Sequence, residues 1–435
     1  MMKIKSYTKL MMAFIGIFSW FIANGQKLPD SLDQYLAIAA KNNPAVLQKF
    51  YEYQAAMQKA PQVGSLPDPE LTLGVLVKPM ELVNGKQVAD IRLMQMFPWF
   101  GTLRAAKDEM SLMANAKFES FRDAKLQVYF DVKRNWYELQ KVKENIQISE
   151  RNVEILKVIE RLTLVKFKAM PSGGNSSSSG GSGLADLYRI QIDIGDLENN
   201  IVLLKTQQIS IEARFNAFLN RPSEMKVYLP ETILAESPDI SITTLTDSMF
   251  MHNPMLEMLL YEQKSLEARK KMVTLMGYPM IGLGVNYSVN SKNSMSGSPM
   301  NGKDMIMPMA TITLPIYRGK YNAMKFEAEL LRSASEQDYQ STSNTLNTEY
   351  YEAIQLFTDG QRRITLYDSQ SDLTKKTLDI MLKNFTTGGT SLTDILRIRQ
   401  QLLDYEFKQT EALTDYNTAI AWLQRLIASS SIQEK

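Results

Sequence analysis

The sequence predicts an α+β membrane protein built from two copies of one unit, in which a β-hairpin is followed by a long α-helical hairpin. Three observations predict this fold class: an internal repeat, four segments of alternating polarity, and two long stretches without residues that end a helix. With 435 residues, 44% of them hydrophobic, the chain has the length and composition of a large folded protein.

The internal repeat consists of four pairs of segments that occur in the same order. Asn42-Asn43-Pro44 recurs as His252-Asn253-Pro254, and Leu73-Gly74-Val75 recurs as Leu283-Gly284-Val285, in both cases 210 positions later. The other two pairs are Phe97-Pro98-Trp99-Phe100-Gly101 with Leu314-Pro315-Ile316-Tyr317-Arg318-Gly319, and Leu184-Ala185-Asp186-Leu187 with Leu392-Thr393-Asp394-Ile395. Four ordered matches indicate a duplication.

Each repeat is predicted to contain one strand hairpin and one helical hairpin. Because the α-helix rises 1.5 Å per residue, the proline-free stretch from Gly101 to Lys168 predicts a helix about 100 Å long. Hydrophobic residues every three or four positions predict coiled-coil packing of the returning helices. The predicted bounds are residues 26–230 with strands in 70–97 and helices in 101–220, and residues 231–435 with strands in 280–314 and helices in 319–430.

The segments predicted to be strands alternate between apolar residues and small or polar ones. Leu71, Leu73 and Val75, for example, alternate with Thr72 and Gly74. This period of two suits strands that separate lipid from a lumen, although two hairpins on a soluble core would also produce it. Four strands are too few to close a barrel, so several copies would have to combine: two copies supply eight strands and three supply twelve.

The first 25 residues are predicted to be a cleaved export signal. Lysines precede an apolar stretch that runs to Ala23, and Ala23-Asn24-Gly25 fits a cleavage site of small residues. A membrane anchor is the alternative, but the stretch is short for one. Because the chain has no cysteine, we expect no lipid on the mature N-terminus.

The composition argues against several classes of function. One histidine, His252, and no cysteine leave little for thiol or histidine chemistry, and a net charge of +2 gives no support to nucleic-acid binding. We therefore expect no enzymatic activity, no cofactor and no nucleic-acid partner. We interpret His252, which precedes Asn253-Pro254, as the end of a helix.

Across essentially the whole mature chain, these features resemble those of the TolC-like outer-membrane efflux channels. The resemblance implies a homotrimer with a twelve-stranded β-barrel and a helical tunnel that extends into the periplasm. It implies passive conduction of substrates and, as partners, outer-membrane lipid, a periplasmic adaptor of the membrane fusion protein type, and an inner-membrane pump, often of the resistance-nodulation-division type.

In this family the turns between paired long helices narrow the tunnel and contact the adaptor. The implied docking residues are Gly183, Leu184, Gly389, Thr390, Ser391 and Leu392, and the implied periplasmic gate residues are Asp186, Arg189, Asp394 and Arg397. Each Asp and Arg could also form an ordinary i,i+3 ion pair, with its carboxylate in the first turn of a helix, and this alternative stays open.

The two turns differ in composition. Residues 172–183 form a Gly/Ser tract that is predicted to be flexible, whereas the turn at 386–392 is short. We therefore expect the two turns to have unequal roles in docking.

Methionine is abundant, with 26 residues, and several flank the strand hairpins. Thioethers suit Cu(I) and Ag(I), so heavy-metal cations are one candidate cargo, while flexible apolar filling is the alternative. The methionines concerned are Met80, Met94, Met96, Met295, Met300, Met305, Met307 and Met309.

A different class of function remains as an alternative. A non-channel periplasmic coiled-coil scaffold or adaptor would explain the heptad pattern, but it leaves the duplicated alternating hairpins without a use.

Overall fold

The computed structural model describes residues 31–83, 85–168, 179–237, 245–385 and 389–428. The predicted export signal, residues 1–25, lies outside these ranges. The elements of the first half are α1 (Leu32–Asn42), α2 (Pro44–Gly64), β1 (Glu70–Leu82), β2 (Gly85–Phe97), α3 (Thr102–Lys168) and α4 (Ser179–Phe218). Those of the second half are α5 (Leu245–His252), α6 (Pro254–Met276), β3 (Met280–Ser291), β4 (Met305–Thr313), α7 (Arg318–Phe385) and α8 (Leu392–Leu426).

The repeated Asn-Pro dipeptides start a new helix in each half. The side-chain oxygen of Asn43 accepts a hydrogen bond from the amide two residues later at 2.9 Å, and that of Asn253 does the same at 3.0 Å. Pro44 and Pro254 occupy the first helical position, where no amide hydrogen is required. As expected, His252 is the last residue of the preceding helix.

The chain folds into two compact units that interleave along the sequence. One contains the described residues up to Ala39 together with those of Asn135–Ile233, and the other contains the described residues of Ala40–Arg134 together with those from Leu234 onward. This division differs from the two repeats, whose bounds remain a prediction.

The first unit is held together by an aromatic cluster. The ring of Tyr35 lies 5.4 Å from that of Trp136 and 5.1 Å from that of Phe215, and its hydroxyl accepts a hydrogen bond from the amide of Tyr228 at 3.1 Å. Tyr35 and Phe215 are fully buried. Burying large aromatic rings contributes strongly to stability, and the satisfied hydroxyl avoids a desolvation cost.

In the second unit, α7 and α8 pack along the predicted heptad seam. The rings of Phe357 and Tyr416 stack at 4.9 Å, and Ala419 and Ile420 are buried beside them. Gly360 allows this approach, because a Cβ at that position would lie 3.0 Å from the Cβ of Tyr416 and 3.1 Å from its Cα. Within the described part of the chain, no helix combines the length and apolar character that a bilayer span requires.

We expect Gly360→Ala to destabilise the protein by about 1–3 kcal/mol, because the added methyl group would collide with backbone that cannot move aside. The matched control is Gly195→Ala in α4, where nothing lies within 4 Å of the added carbon. There alanine's greater helix propensity should leave stability unchanged or raise it by about 1 kcal/mol.

The measurement is the thermal unfolding midpoint of both variants in the same detergent, followed by circular dichroism. Equal midpoints for the two variants would show that α7 and α8 do not meet closely at Gly360.

Candidate functional site

The four strands form one antiparallel sheet in the order β1-β2-β3-β4. Its central pairing joins the two repeats, since β2 pairs with β3 over eleven aligned positions from Lys86–Ser291 to Phe97–Ile281. Within the described residues, β1 and β4 therefore each pair on one side only. Their outer edges present free backbone hydrogen-bonding groups.

One face of the sheet is apolar and exposed. The cross-strand register aligns Leu73 with Ile91, Ile91 with Tyr287, and Tyr287 with Ile306, so these residues share one face. Leu73 is 66% exposed and Val77 is 96% exposed. The large exposed apolar side chains of this face are Leu71, Leu73, Val75, Ile91, Leu93, Phe97, Ile281, Leu283, Val285, Ile306 and Ile312. A continuous exposed apolar surface of this kind marks contact with lipid or with another protein.

The opposite face of the sheet carries small and polar residues at its centre. Asn286, Ser288 and Asn290 of β3 are buried there, and Gly282 and Gly284 continue the same row. We call this surface the inner face. The predicted alternation is thus present as two chemically different sides of one sheet.

Aromatic residues cluster where the sheet meets the helices. The Trp99 ring stacks on that of Tyr278 with centroids 5.2 Å apart, while Phe100 and Tyr317 are largely exposed. Gly101 follows with φ of +84°, a conformation that favours glycine, and lets the chain turn from β2 into α3. Trp and Tyr at the end of an apolar band are typical of a membrane–water boundary.

The turn before α8 is capped by its own side chains. The Ser391 hydroxyl accepts a hydrogen bond from the Asp394 amide at 3.2 Å and donates one to the Asp394 carboxylate at 2.7 Å. Arg397 donates to the same carboxylate at 3.2 Å, so the proposed ion pair is present and Asp394 lies in the first turn. The Leu392 side chain is buried, which leaves Gly389 and Ser391 exposed and Thr390 half-buried.

The turn before α4 differs from the sequence-based expectation. Helix α4 begins at Ser179, so the predicted flexible tract is helical over residues 179–183; its earlier part lies outside the described residues. Asp186 therefore does not lie in the first turn, and that expectation is wrong. A Cβ on Gly183 would lie 2.6 Å from the Phe167 ring, so glycine there allows α3 and α4 to pack closely. Leu184 and Arg189 are exposed.

A cluster of charged residues, not anticipated from the sequence, lies between α3 and α6. Arg122 donates to Glu119 at 2.6 Å and to Glu257 at 3.3 Å. Burial raises the pKa of the Glu119 carboxyl to about 7; Glu257 adds to the rise and Arg122 opposes it. The i,i+3 spacing of Glu119 and Arg122 was visible in the sequence, but Glu257 lies 135 residues beyond Arg122. In the described residues, no group of three or more His, Cys, Asp or Glu side chains could hold a metal ion.

Comparisons with known proteins identify the fold. No family model matches the chain, and no curated protein is significantly similar to it. The outer membrane protein VceC from Vibrio cholerae has a TM-score of 0.71 at 12% identity, covering 91% of this chain and 96% of that one. The CmeC outer membrane channel of Campylobacter jejuni has a TM-score of 0.71 at 16% identity, covering 91% and 85%. The open state of the MtrE outer membrane channel of Neisseria gonorrhoeae has a TM-score of 0.72 at 14% identity, covering 92% and 89%.

These similarities extend over nearly the whole of each chain. The protein therefore has the fold of the TolC-like outer-membrane channels, a mainly helical chain with a small four-stranded sheet, as the sequence resemblance implied.

We expect the stability of the protein to fall as the pH rises from about 5 to about 8. The folded state holds a proton on Glu119 up to a pKa of about 7, whereas the carboxyl of the unfolded chain releases it near the ordinary pKa of 4.5. The folded state therefore binds more protons across this window, and stability present below pH 4.5 is lost as the pH passes 7.

Glu119→Gln should reduce this fall by on the order of 1–3 kcal/mol, while Glu109, Asp123 and Glu262, whose carboxyl pKa values burial also raises, keep the remainder. The test compares thermal midpoints at pH 5.5 and pH 8. Glu154→Gln, which removes an exposed carboxylate paired with Lys157 at 3.1 Å, is the control and should keep the wild-type difference. The same pH dependence in Glu119→Gln as in the wild type would rule out this carboxyl as its source.

Proposed function

We propose that this chain is a subunit of the outer-membrane channel of a tripartite efflux system. It conducts passively the substrates that an inner-membrane pump and a periplasmic adaptor deliver. The observation that supports this most directly is the four-stranded sheet, with one exposed apolar face and two outer edges that no other described strand pairs with. The fold similarity to outer-membrane channels points to the same role.

The open edges favour a closed ring made by several copies. Lipid offers no hydrogen bonds to backbone groups, so each unpaired N–H or C=O at a strand edge costs several kcal/mol there. Pairing β4 of one copy with β1 of the next satisfies both edges. Three copies supply twelve strands, so we propose a homotrimer with the apolar face toward outer-membrane lipid and the inner face toward the lumen.

The export route follows from the same assignment. Residues 1–25 direct the chain across the inner membrane and are cleaved, and the mature protein is held in the outer membrane by its strands without a lipid anchor. The helices extend into the periplasm, where we propose docking to an adaptor that works with a pump of the resistance-nodulation-division type.

The docking surface consists of the ends of the helical hairpins. Ser391, Gly389 and Thr390 present polar groups at one turn, and Leu184 is exposed at the other. Leu392, assigned to docking from the sequence, has a buried side chain and supports the turn from inside. Gly183 acts in the same way through its contact with Phe167.

The acidic residues beside these turns form the proposed periplasmic gate. Asp394 and Arg397, together with Asp186 and Arg189, would line the narrow end of the tunnel. The ion pair between Asp394 and Arg397 holds the carboxylate in place while leaving it 46% exposed. A fixed, hydrated negative charge of this kind favours cations.

The protein performs no chemical step in this role and requires no cofactor. Energy comes from the pump, and cargo selection is shared with it. Heavy-metal cations are one cargo that the methionines of the strand region could accommodate.

The lipid-facing assignment is tested by placing a lysine on either side of one strand. Leu73→Lys puts the charge on the apolar face and should cost about 2–4 kcal/mol near the bilayer midplane, enough to reduce assembled oligomer in outer-membrane fractions severalfold. Thr72→Lys puts the same charge on the inner face, where water would solvate it. Arg92 lies directly opposite and should cost this variant only about 0.2–1 kcal/mol, so we expect it to assemble close to the wild-type level. Equal loss in both variants, or in neither, would contradict the assignment.

The channel itself is tested in planar bilayers with the purified mature chain, whose oligomeric mass is measured in the same detergent. We expect a trimer with small, cation-selective currents. Asp394→Asn should increase the conductance severalfold and lower the cation selectivity, because it removes the charge and loosens the contacts to Ser391 and Arg397.

Asp404→Asn is the control for this experiment, since it removes a carboxylate of α8 that pairs with Lys408 at 2.7 Å away from the turn. It should leave the currents unchanged. A soluble monomer or dimer without conductance would overturn the channel and favour the coiled-coil scaffold.

A further inference from the structure

We propose that Met94 and Met96 form a binding site for a soft monovalent cation, Cu(I) or Ag(I), over Gly282 on the inner face of the sheet. This inference rests on the proposed function in one respect: the inner face is taken as the wall of the lumen. It identifies a specific site and ligand class for the cargo.

The two sulfur atoms converge on one spot. The point that a Cβ of residue 282 would occupy lies 2.6 Å from the Met96 sulfur and 3.2 Å from the Met94 sulfur. The same Met94 sulfur lies 3.1 Å from the corresponding point at Gly284. Glycine at both positions of β3 therefore leaves room for two thioethers, which reach over the neighbouring strand side by side.

The pairing of β3 with β4 places a third methionine, Met309, on the other side of Gly284. Gly284 pairs with Met94 of β2 and with Met309 of β4, so the three residues form one row across the sheet on the inner face. Because residue 284 is glycine, no side chain of β3 separates Met94 on β2 from Met309 on β4. Thioether sulfur is a soft ligand that selects Cu(I) among biological metal ions, and Ag(I) shares this preference.

An oxygen ligand with no other partner lies next in the same row of β3. Asn286 is 8% exposed, and its side-chain oxygen accepts no hydrogen bond within the described residues. A buried carbonyl oxygen without a donor destabilises the fold, so a cation or a cation-bound water beside it would be stabilising.

The alternative, that these methionines only fill apolar space, explains this arrangement less well. Methionine fills gaps in apolar cores, but Met94, Met96 and Met309 are only half-buried and lie on the polar side of the sheet. The charged residues of the same face around Met94 are Asp90 and Arg92 of β2 and Glu70 of β1, which pairs directly with Met94, so one negative charge remains. A neutral ligand set beside a single net negative charge favours a monovalent cation over a divalent one.

The test measures Cu(I) binding to the purified oligomer in detergent, without oxygen, by competition with a chromophoric Cu(I) chelator. We expect the wild type to bind Cu(I) and the metal's X-ray absorption to show sulfur neighbours. Met94→Leu with Met96→Leu, which conserves side-chain volume, should weaken binding at least tenfold. Met57→Leu with Met251→Leu, two exposed methionines of the helices, is the matched control and should bind as the wild type does.

A second variant keeps both sulfurs and fills the space between them. Gly282→Ala places a methyl group where the thioethers converge, and because these are the flexible ends of side chains, the sheet should still fold. Its Cu(I) affinity should fall severalfold although no ligand is removed. Wild-type affinity in both the double leucine variant and Gly282→Ala would overturn the site.

Conductance of the same wild-type preparation separates the two proposals. A channel that conducts but binds no Cu(I) overturns the metal site and leaves the channel standing. A protein that binds Cu(I) through Met94 and Met96 but forms no conducting oligomer supports the site and overturns the channel.

Discussion

The constraint on which the rest depends is the backbone of four short strands that cannot satisfy its own outer edges. Inside the sheet, each of β2 and β3 pairs on both sides, while in the part of the chain that the structure describes β1 and β4 pair on one side only. A soluble protein would cover such edges or blunt them with charge. Strands from other copies would satisfy these edges, and the proposed oligomer, its lumen and the proposed orientation of the two faces all rest on that pairing.

The long helices meet a different constraint, since a hairpin of this length must keep its two members in register over many turns. Close packing at glycines and aromatic residues keeps the two helices in register. Gly360 brings the α7 backbone against Tyr416, whose ring stacks on Phe357, and Gly183 seats the start of α4 on Phe167. Both contacts place a glycine against an aromatic residue, at its backbone in Tyr416 and at its ring in Phe167, so each helps to fix the axial position of one helix against its neighbour. An interface made only of leucine side chains would fix this axial position less well.

Local patterns in the sequence predicted the elements well because their causes are local. Alternation in Leu71 to Val75 predicted a strand, and Asn43 with Pro44 predicted a break that the structure explains as an N-cap. The features that the sequence predicted wrongly, or did not predict, depend on tertiary packing. The Gly/Ser tract looks flexible by propensity, yet residues 179–183 are helical beside Phe167. The Glu119–Arg122–Glu257 cluster joins segments 135 residues apart, which no local pattern reveals. The convergence of Met94 and Met96 depends on cross-strand register in the same way.

The cross-strand register also shows how equivalent positions of a duplicated sequence can have different chemical surroundings. Gly74 of β1 and Gly284 of β3 occupy equivalent positions in the two repeats, and both lie beside β2 on the inner face. The space above Gly74 is filled by the Asp90 carboxylate, whereas the space above Gly284 is filled by the Met94 thioether. Equivalent glycines therefore receive a hard oxygen ligand on one side of β2 and a soft sulfur ligand on the other. Since β2 supplies both side chains, substitutions in that single strand would change the inner face most, and the glycines on either side would tolerate them without rebuilding the sheet.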